Sequence, residues 1–366
     1  MKFIIKREQL LPSLQIINGV IEKRHTLPIL SNFLMCTSPT SITLTGTDME
    51  VELVSVINQV VKENAEFTLP ARKLLDICKA LPEGAELDFS INKDQTIIKS
   101  GKSRFTLITL PASEFPAIEI STPSTDFKIP QKVLKALLVD TMFAMAQQDV
   151  RYYLNGLLIE VSKDKLRSVA TDGHRLALKE IDVKIDIKES AQIIVPRKGI
   201  SEVVRLLNES ENLVRVQISQ NHIRVTMDGL QFTSKLVDGR FPDYGRVIPK
   251  PTETPVFADR ETLRQSLTRA SILSNEKYKG VKIILKPGNI TALAHNPEQE
   301  EAEEELEVEY TGEEIEIGFN VSYLLDALNA IKTEKAVLTI TGPNSSCLLL
   351  PFKENYCKYV VMPMRL

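Results

Sequence analysis

The run "TDGHR" (171–175) sets a carboxylate, Asp172, two residues from an imidazole, His174. Such a pair could act as the orienting acid and the base of a nucleophilic triad. No serine or cysteine elbow accompanies it, and no glycine-rich phosphate loop occurs in the 366 residues. A histidine in a structural or binding role is the better reading, and no turnover activity is expected. Cys36, Cys78, Cys347 and Cys357 and the four histidines are scattered without zinc-ligand spacing. Neither a metal centre nor a disulfide framework is expected, and no cofactor is implied.

The other reactive side chains are cations. Arg72, Lys73, Arg197 and Lys198 stand at the starts of amphipathic segments, where positive charge opposes the helix dipole. A cost of that kind suits residues kept for a ligand. Six windows read as helices: 6–17, 71–80, 130–145, 197–207, 259–273 and 320–332. Five of them are net positive, although the whole chain carries −3. The helices are therefore basic and the remainder acidic. A surface lined by those helices suits a phosphate backbone.

The elements recur. An apolar strand residue seven before a helix leucine appears at Phe3/Leu10, Phe127/Leu134 and Val256/Leu263. The turn before the second helix falls at Pro70, Pro196 and Gly318. A closing proline falls at Pro116, Pro242 and Pro363. All three landmarks return after roughly 120–130 residues, a domain-sized repeat. Within a repeat, Leu10, Leu14, Ile17 and Ile21 keep helical spacing, while Val214, Val216 and Ile218 alternate as a strand does. Each unit is therefore α+β, two helices on antiparallel sheet. Linkers rich in Pro, Ser and Thr ("STPSTD", 121–126, and "PKPTETP", 249–255) set domains at 1–124, 125–252 and 253–366. Three like domains in tandem make either an arc, which a second copy could close into a ring, or beads on a string. A protein-interaction scaffold that never meets DNA is the alternative function, though it leaves the basic helices unexplained. The opening "MKFIIKREQL" is not a signal peptide, and no apolar run spans a membrane. A cytoplasmic location is expected.

The chain resembles the bacterial β sliding clamps of DNA polymerase III, most closely those of gammaproteobacteria. The likeness lies in "YYLNGLLIE" (152–160), "VATDGHRLAL" (169–178), "IIVPRKG" (193–199), "FTSKLVDGRFPDY" (232–244), "ILSNEKYKGV" (272–281), "HNPEQEEAEEELEVEY" (295–310), "IEIGFNVSYLLDALNA" (315–330) and "YVVMPMRL" (359–366). The resemblance implies a head-to-tail homodimer closing a six-domain ring, helices inside and sheets outside. Such a ring encircles duplex DNA without regard to sequence and does no chemistry. It implies service by a clamp-loader complex, and tethering of the DNA polymerase III catalytic subunit, translesion polymerases and repair proteins through short linear peptides. It implies no membrane.

By the same resemblance the peptide pocket comprises Leu154, Thr171, Gly173, His174, Arg175, Leu176, Pro242, Arg246, Val247, Asn320, Tyr323, Ser346, Val360, Met362, Pro363, Met364 and Arg365. Gly245 and the stretch 345–358 depart from the family pattern. Arg24, Gln148, Tyr152 and Tyr153 match DNA-touching loop residues, beside Arg72, Lys73, Arg197 and Lys198. At the dimer seam Ile272 and Leu273 would face Phe105 and Leu107. Glu301, Glu303 and Glu304 would meet Lys73, Lys102 and Arg104.

Overall fold

The computed structural model describes residues 1–21, 27–118, 121–187 and 189–365. Six α-helices form among them: α1 Arg7–Ile17, α2 Ala71–Ala80, α3 Gln131–Met142, α4 Arg197–Leu206, α5 Arg260–Ser271 and α6 Val321–Ala330. Their apolar stripes decide which face is buried. α1 buries Leu10, Leu14 and Ile17, and α4 buries Ile200, Val203 and Leu206. Two starts are fixed by side chains. Asp259 accepts the Thr262 N–H at 2.7 Å, and Asn320 accepts that of Ser322 at 2.9 Å.

The chain gathers into two compact units: Met1–Lys135 with Lys198–Leu236, and Ala136–Arg197 with Val237–Leu366. The first unit holds an eight-stranded antiparallel sheet. Its order is Ala65–Pro70, Asn32–Thr37, Ser41–Thr47, Val51–Asn58, Leu230–Lys235, His222–Met227, Leu213–Ile218, Thr125–Pro130. The second unit repeats that order with Ala191–Pro196, Gly156–Val161, Lys165–Thr171, Arg175–Asp182, Cys357–Val361, Cys347–Pro351, Lys335–Thr339, Val256–Asp259. Each eight-stranded sheet is half one repeat and half the next. Leu53 of the first repeat lies opposite Phe232 of the second, and Ala177 of the second opposite Tyr359 of the third. The repeats are thus not beads on a string, because main-chain ladders cross from one to the next.

Each unit also carries a four-stranded sheet. In the first unit its order is Lys2–Lys6, Glu86–Ile91, Gln95–Ser100, Ser103–Ile108. In the second it is Glu301–Glu307, Asn289–His295, Gly280–Lys286, Ile315–Asn320. In each unit two helices pack side by side: α1 and α2 lie against the eight-stranded sheet, with α1 also touching Lys2–Lys6, and α5 and α6 cover one face of the second unit's four-stranded sheet. The buried interior includes Phe33, Phe89, Phe232, Phe319 and Tyr359, each under 2% exposed. Each such side chain contributes about 1.5–3 kcal/mol on leaving water. No helix among the described residues is long and apolar enough to cross a membrane.

Candidate binding surfaces

Asp172 does not orient the His174 ring. Its Oδ1 accepts the backbone N–H groups of His174 (2.9 Å) and Arg175 (3.0 Å), and its Oδ2 takes Arg175 Nε at 3.1 Å. The "TDGHR" run is a capped turn, with Gly173 at φ +88°, a left-handed conformation that favours glycine. His174 is left exposed, with no nucleophile placed by the turn. Arg175 is a strut. It also pairs with Asp326, donates to the Phe143 carbonyl at 2.8 Å, and lies 4.4 Å from the Tyr323 ring centroid. Three of its five N–H donors hold the turn, α6 and the Phe143 carbonyl together, so Arg175 braces the edge of the expected pocket.

All the expected pocket residues belong to the second unit. Leu176, Val360 and Leu348 stand side by side on three adjacent strands, Leu176 opposite Val360 and Val360 opposite Leu348. Side chains alternate along a strand, so this row faces away from Ala177 and Tyr359. The row joins Leu158, Val169, Leu178 and Ile194 in one buried apolar cluster, roofed by half-buried Tyr153, Val237, Phe241, Tyr244, Ile248 and Leu350. Leu154 is buried nearby in the chain. His174, Pro242, Arg246, Val247, Met362 and Arg365 are exposed, while Thr171, Gly173, Asn320, Tyr323, Ser346, Pro363 and Met364 are half-buried. The C-terminal run is anchored rather than loose: Met362 N–H donates to the His174 carbonyl and Met364 N–H to that of Gly318, both at 2.9 Å. Cys357 is buried on the opposite face from Val360, and burial pushes its thiol up to about 11. Gly245 is exposed, with only Asp243 near the place a side chain would fill.

The phosphate-directed residues divide. Arg72 and Lys73 are exposed on the first turn of α2. Gln148 is exposed at φ +55°, in a loop braced by Asn155 and by the Asp149–Arg151 pair. That arginine holds the Asp149 carboxyl down to about 2. Tyr152 is 59% exposed, whereas Tyr153 packs into the apolar cluster. Arg197 donates to the Met145 carbonyl at 2.9 Å, and Lys198 is ion-paired with buried Asp48. Arg24 lies outside the described residues.

At the sheet edges, Lys102, Arg104, Glu301 and Glu303 are exposed, Phe105 and Leu273 half-buried, and Ile272 73% exposed. Leu107 is only 7% exposed, turned into its own core, while its neighbour Ile108 is 69% exposed. Leu107 therefore supports this edge from within and does not present itself to a second chain. Glu304 is held by Arg269 of its own chain, with 2.7 Å between Arg269 Nε and Oε1, so it is not waiting for an outside lysine.

Sequence reasoning missed Leu348 and the roof of Val237, Phe241, Tyr244 and Ile248. For Leu348 a signal was present: "CLLLP" (347–351) is apolar throughout, which marks a strand buried on both faces. Among the described residues no group of three or more His, Cys, Asp or Glu could hold a metal ion.

Three tandem two-helix repeats, joined through common sheets and offering docking surfaces, define a clamp-type binding protein. Family models for the N-terminal, central and C-terminal domains of the DNA polymerase III beta subunit match residues 1–119, 128–243 and 245–365. Beta sliding clamps of Pseudomonas putida and Pseudomonas aeruginosa are 51% and 52% identical over the whole of both chains. A crystal structure of the Pseudomonas aeruginosa sliding clamp bound to griselimycin superposes with TM-score 0.95 at 51% identity, covering 100% of each chain. The chain belongs to the beta sliding clamp family, the non-catalytic beta subunits of DNA polymerase III.

Proposed function

We propose that this chain is a DNA sliding clamp. Two copies join head to tail into a closed six-domain ring around duplex DNA, and the ring holds polymerases on their template by topology. The domains are 1–124, 125–252 and 253–366. The observation that carries this reading is a pair of half-sheets. Read in the order Ile315–Asn320, Gly280–Lys286, Asn289–His295, Glu301–Glu307, then Ser103–Ile108, Gln95–Ser100, Glu86–Ile91, Lys2–Lys6, the two four-stranded sheets reproduce the topology of the eight-stranded sheets. Within the chain these two edges are unpaired, and a second copy joined head to tail would bring them together this way.

The internal repeats also supply the register of that seam. Glu52, Leu176 and Glu301 are equivalent, lying opposite Thr47, Thr171 and His295. Transferring Leu53↔Phe232 and Ala177↔Tyr359 puts Ala302 opposite Phe105 of the partner subunit and Glu303 opposite Arg104 of the partner subunit. Opposite charges then face each other across the new pair. Ile272 and Leu273, Glu301, Lys73 and Lys102 lie in the same seam.

Partners dock at the apolar row of the second unit. They are short linear peptides of the DNA polymerase III catalytic subunit, translesion polymerases, repair proteins and the clamp loader. A roof of half-buried side chains over an apolar floor can be displaced by apolar peptide side chains. Griselimycin, bound by the clamp of Pseudomonas aeruginosa, serves as a probe of this row. The exposed cations Arg72 and Lys73, with Arg24, Gln148, Tyr152, Tyr153, Arg197 and Lys198, line the DNA path. The protein works in the cytoplasm.

Dwell time on DNA tests the reading. After loading, retention on circular duplex and rapid loss from linear duplex are expected. Equal dwell times on both sink the ring, and no association with either leaves a scaffold that never meets DNA.

A further inference from the structure

The internal symmetry that yields the apolar row also places a counterpart of it in the first unit. In the second unit the row runs Thr171, Leu176, Val360, Leu348 across four paired strands. At the same topological positions the first unit runs Thr47, Glu52, Thr233, Arg224. The threonine is kept, and three apolar residues become a carboxylate, a hydroxyl and a guanidinium.

The counterpart is also covered differently. Glu52 is 8% exposed and Thr233 fully buried. The Ile118 N–H donates to Glu52 Oε2 at 3.4 Å, so the segment following Phe115 is tied down over the row. Arg224 Nε donates to Thr233 Oγ1 at 3.4 Å. Ile118 stands third after the phenylalanine of "EFP", and Tyr244 third after that of "RFP". Tyr244 is pinned elsewhere: its hydroxyl donates to Glu160 Oε2 and accepts from Arg167, both at 2.7 Å. The roof is thus tied to the row in the first unit and beside it in the second. An apolar ligand entering the first row would have to displace the Ile118 tether and leave a carboxylate and a guanidinium against hydrocarbon.

We propose that Glu52, Thr233 and Arg224 are specificity-determining residues that close the first junction to apolar peptides, so that each chain offers one docking row and not two. The inference rests on the docking row argued under Proposed function.

Native mass spectrometry of the full-length protein, counting bound griselimycin, tests this. One molecule per chain is expected on the wild type, and two on Glu52→Leu with Thr233→Val and Arg224→Leu. A folded triple variant that still binds one overturns the inference. Should that variant not fold, the reverse exchange decides: Leu176→Glu with Val360→Thr and Leu348→Arg installs a row that this sheet topology already accommodates. It is expected to bind none, and retained binding overturns the inference. No griselimycin on the wild type is a separate result, the failure of the docking row itself, and removes both.

Discussion

Lys179 Nζ lies 2.5 Å from Asp140 Oδ2, both side chains about nine-tenths buried, and joins the middle of a strand to the tenth residue of α3. In the next repeat the charges are exchanged. Glu304 holds the strand position of Lys179, three residues after the Leu176 and Glu301 equivalents, and Arg269 is the tenth residue of α5. In the first repeat the strand position is Ser55, whose hydroxyl donates to Ser13 at 2.9 Å, one turn earlier on α1 than the tenth residue. One mechanical need, fixing the first helix of a repeat to the strand that crosses to the next, is met by three chemistries.

The Lys179–Asp140 pair is therefore expected to tolerate reversal better than removal. Lys179→Met leaves Asp140 with an uncompensated buried charge, a loss of about 3–5 kcal/mol. Lys179→Glu with Asp140→Arg copies the third repeat and should recover most of it. Urea midpoints of the two single variants and the double variant check this. A double variant no better than the singles would show that the joint depends on local shape and not on the pairing.

The cations of the DNA path should separate into two kinds. Arg72→Ala and Lys73→Ala remove exposed charges, and Arg72→Ala, which lies outside the seam, should leave the melting temperature unchanged. They should reduce the salt dependence of DNA association, by about 0.9 in slope for each phosphate no longer neutralised. Lys198→Ala removes the partner of Asp48, whose side chain is 3% exposed. It should lower stability by about 1–3 kcal/mol as well. Melting curves together with salt titrations of binding distinguish the two. An unchanged salt slope in Arg72→Ala would take that residue off the path.

Much of this is legible in the residues. The window 71–80 is α2, and 197–207 ends one residue beyond α4, because i, i+3, i+4 spacing carries its own evidence of a helix. The alternation of Phe105 and Leu107 marks a strand with one apolar face. It does not say whether that face meets the core or a second chain, and the core takes Leu107. Nor does a period of two name a partner. Leu53 and Phe232 are opposite each other although far apart in sequence, and no local pattern encodes such a pairing. Arg175 is expected in the pocket because the family resemblance puts it there. Its commitment to Asp172, Asp326 and Phe143 depends on three separate segments meeting, which only the fold reveals.

The seam register makes a charge-exchange prediction. Glu303→Arg or Arg104→Glu alone would oppose like charges across the paired edges and should shift the protein toward monomer. Combining the two restores opposite charges and should restore the dimer. Sedimentation at several concentrations reads the result. Ile272→Ala with Leu273→Ala should also yield a folded monomer, and an unchanged dimer mass would remove those residues from the seam. If the Glu303 and Arg104 variants both stay dimeric, the transferred register is wrong by at least one residue.

His222 should make the first unit sensitive to mild acid. It is 9% exposed, and neither ring nitrogen has a partner among the described residues. Lys235 lies opposite it and Arg224 follows two residues along the same strand. Burial, then those two cations, hold its pKa below the usual histidine value. The unfolded chain takes up this proton near pH 6.5 and the folded one only at lower pH. Stability should therefore be unaffected above pH 6.5, fall as pH drops from there toward the depressed folded value, and lose no more from this group below it. His222→Leu removes the difference. Melting temperatures from pH 7.5 to 5 should diverge, the wild type falling faster than the variant. Parallel curves would mean that the folded protein accepts the proton, by rearranging Lys235 or by exposing the ring.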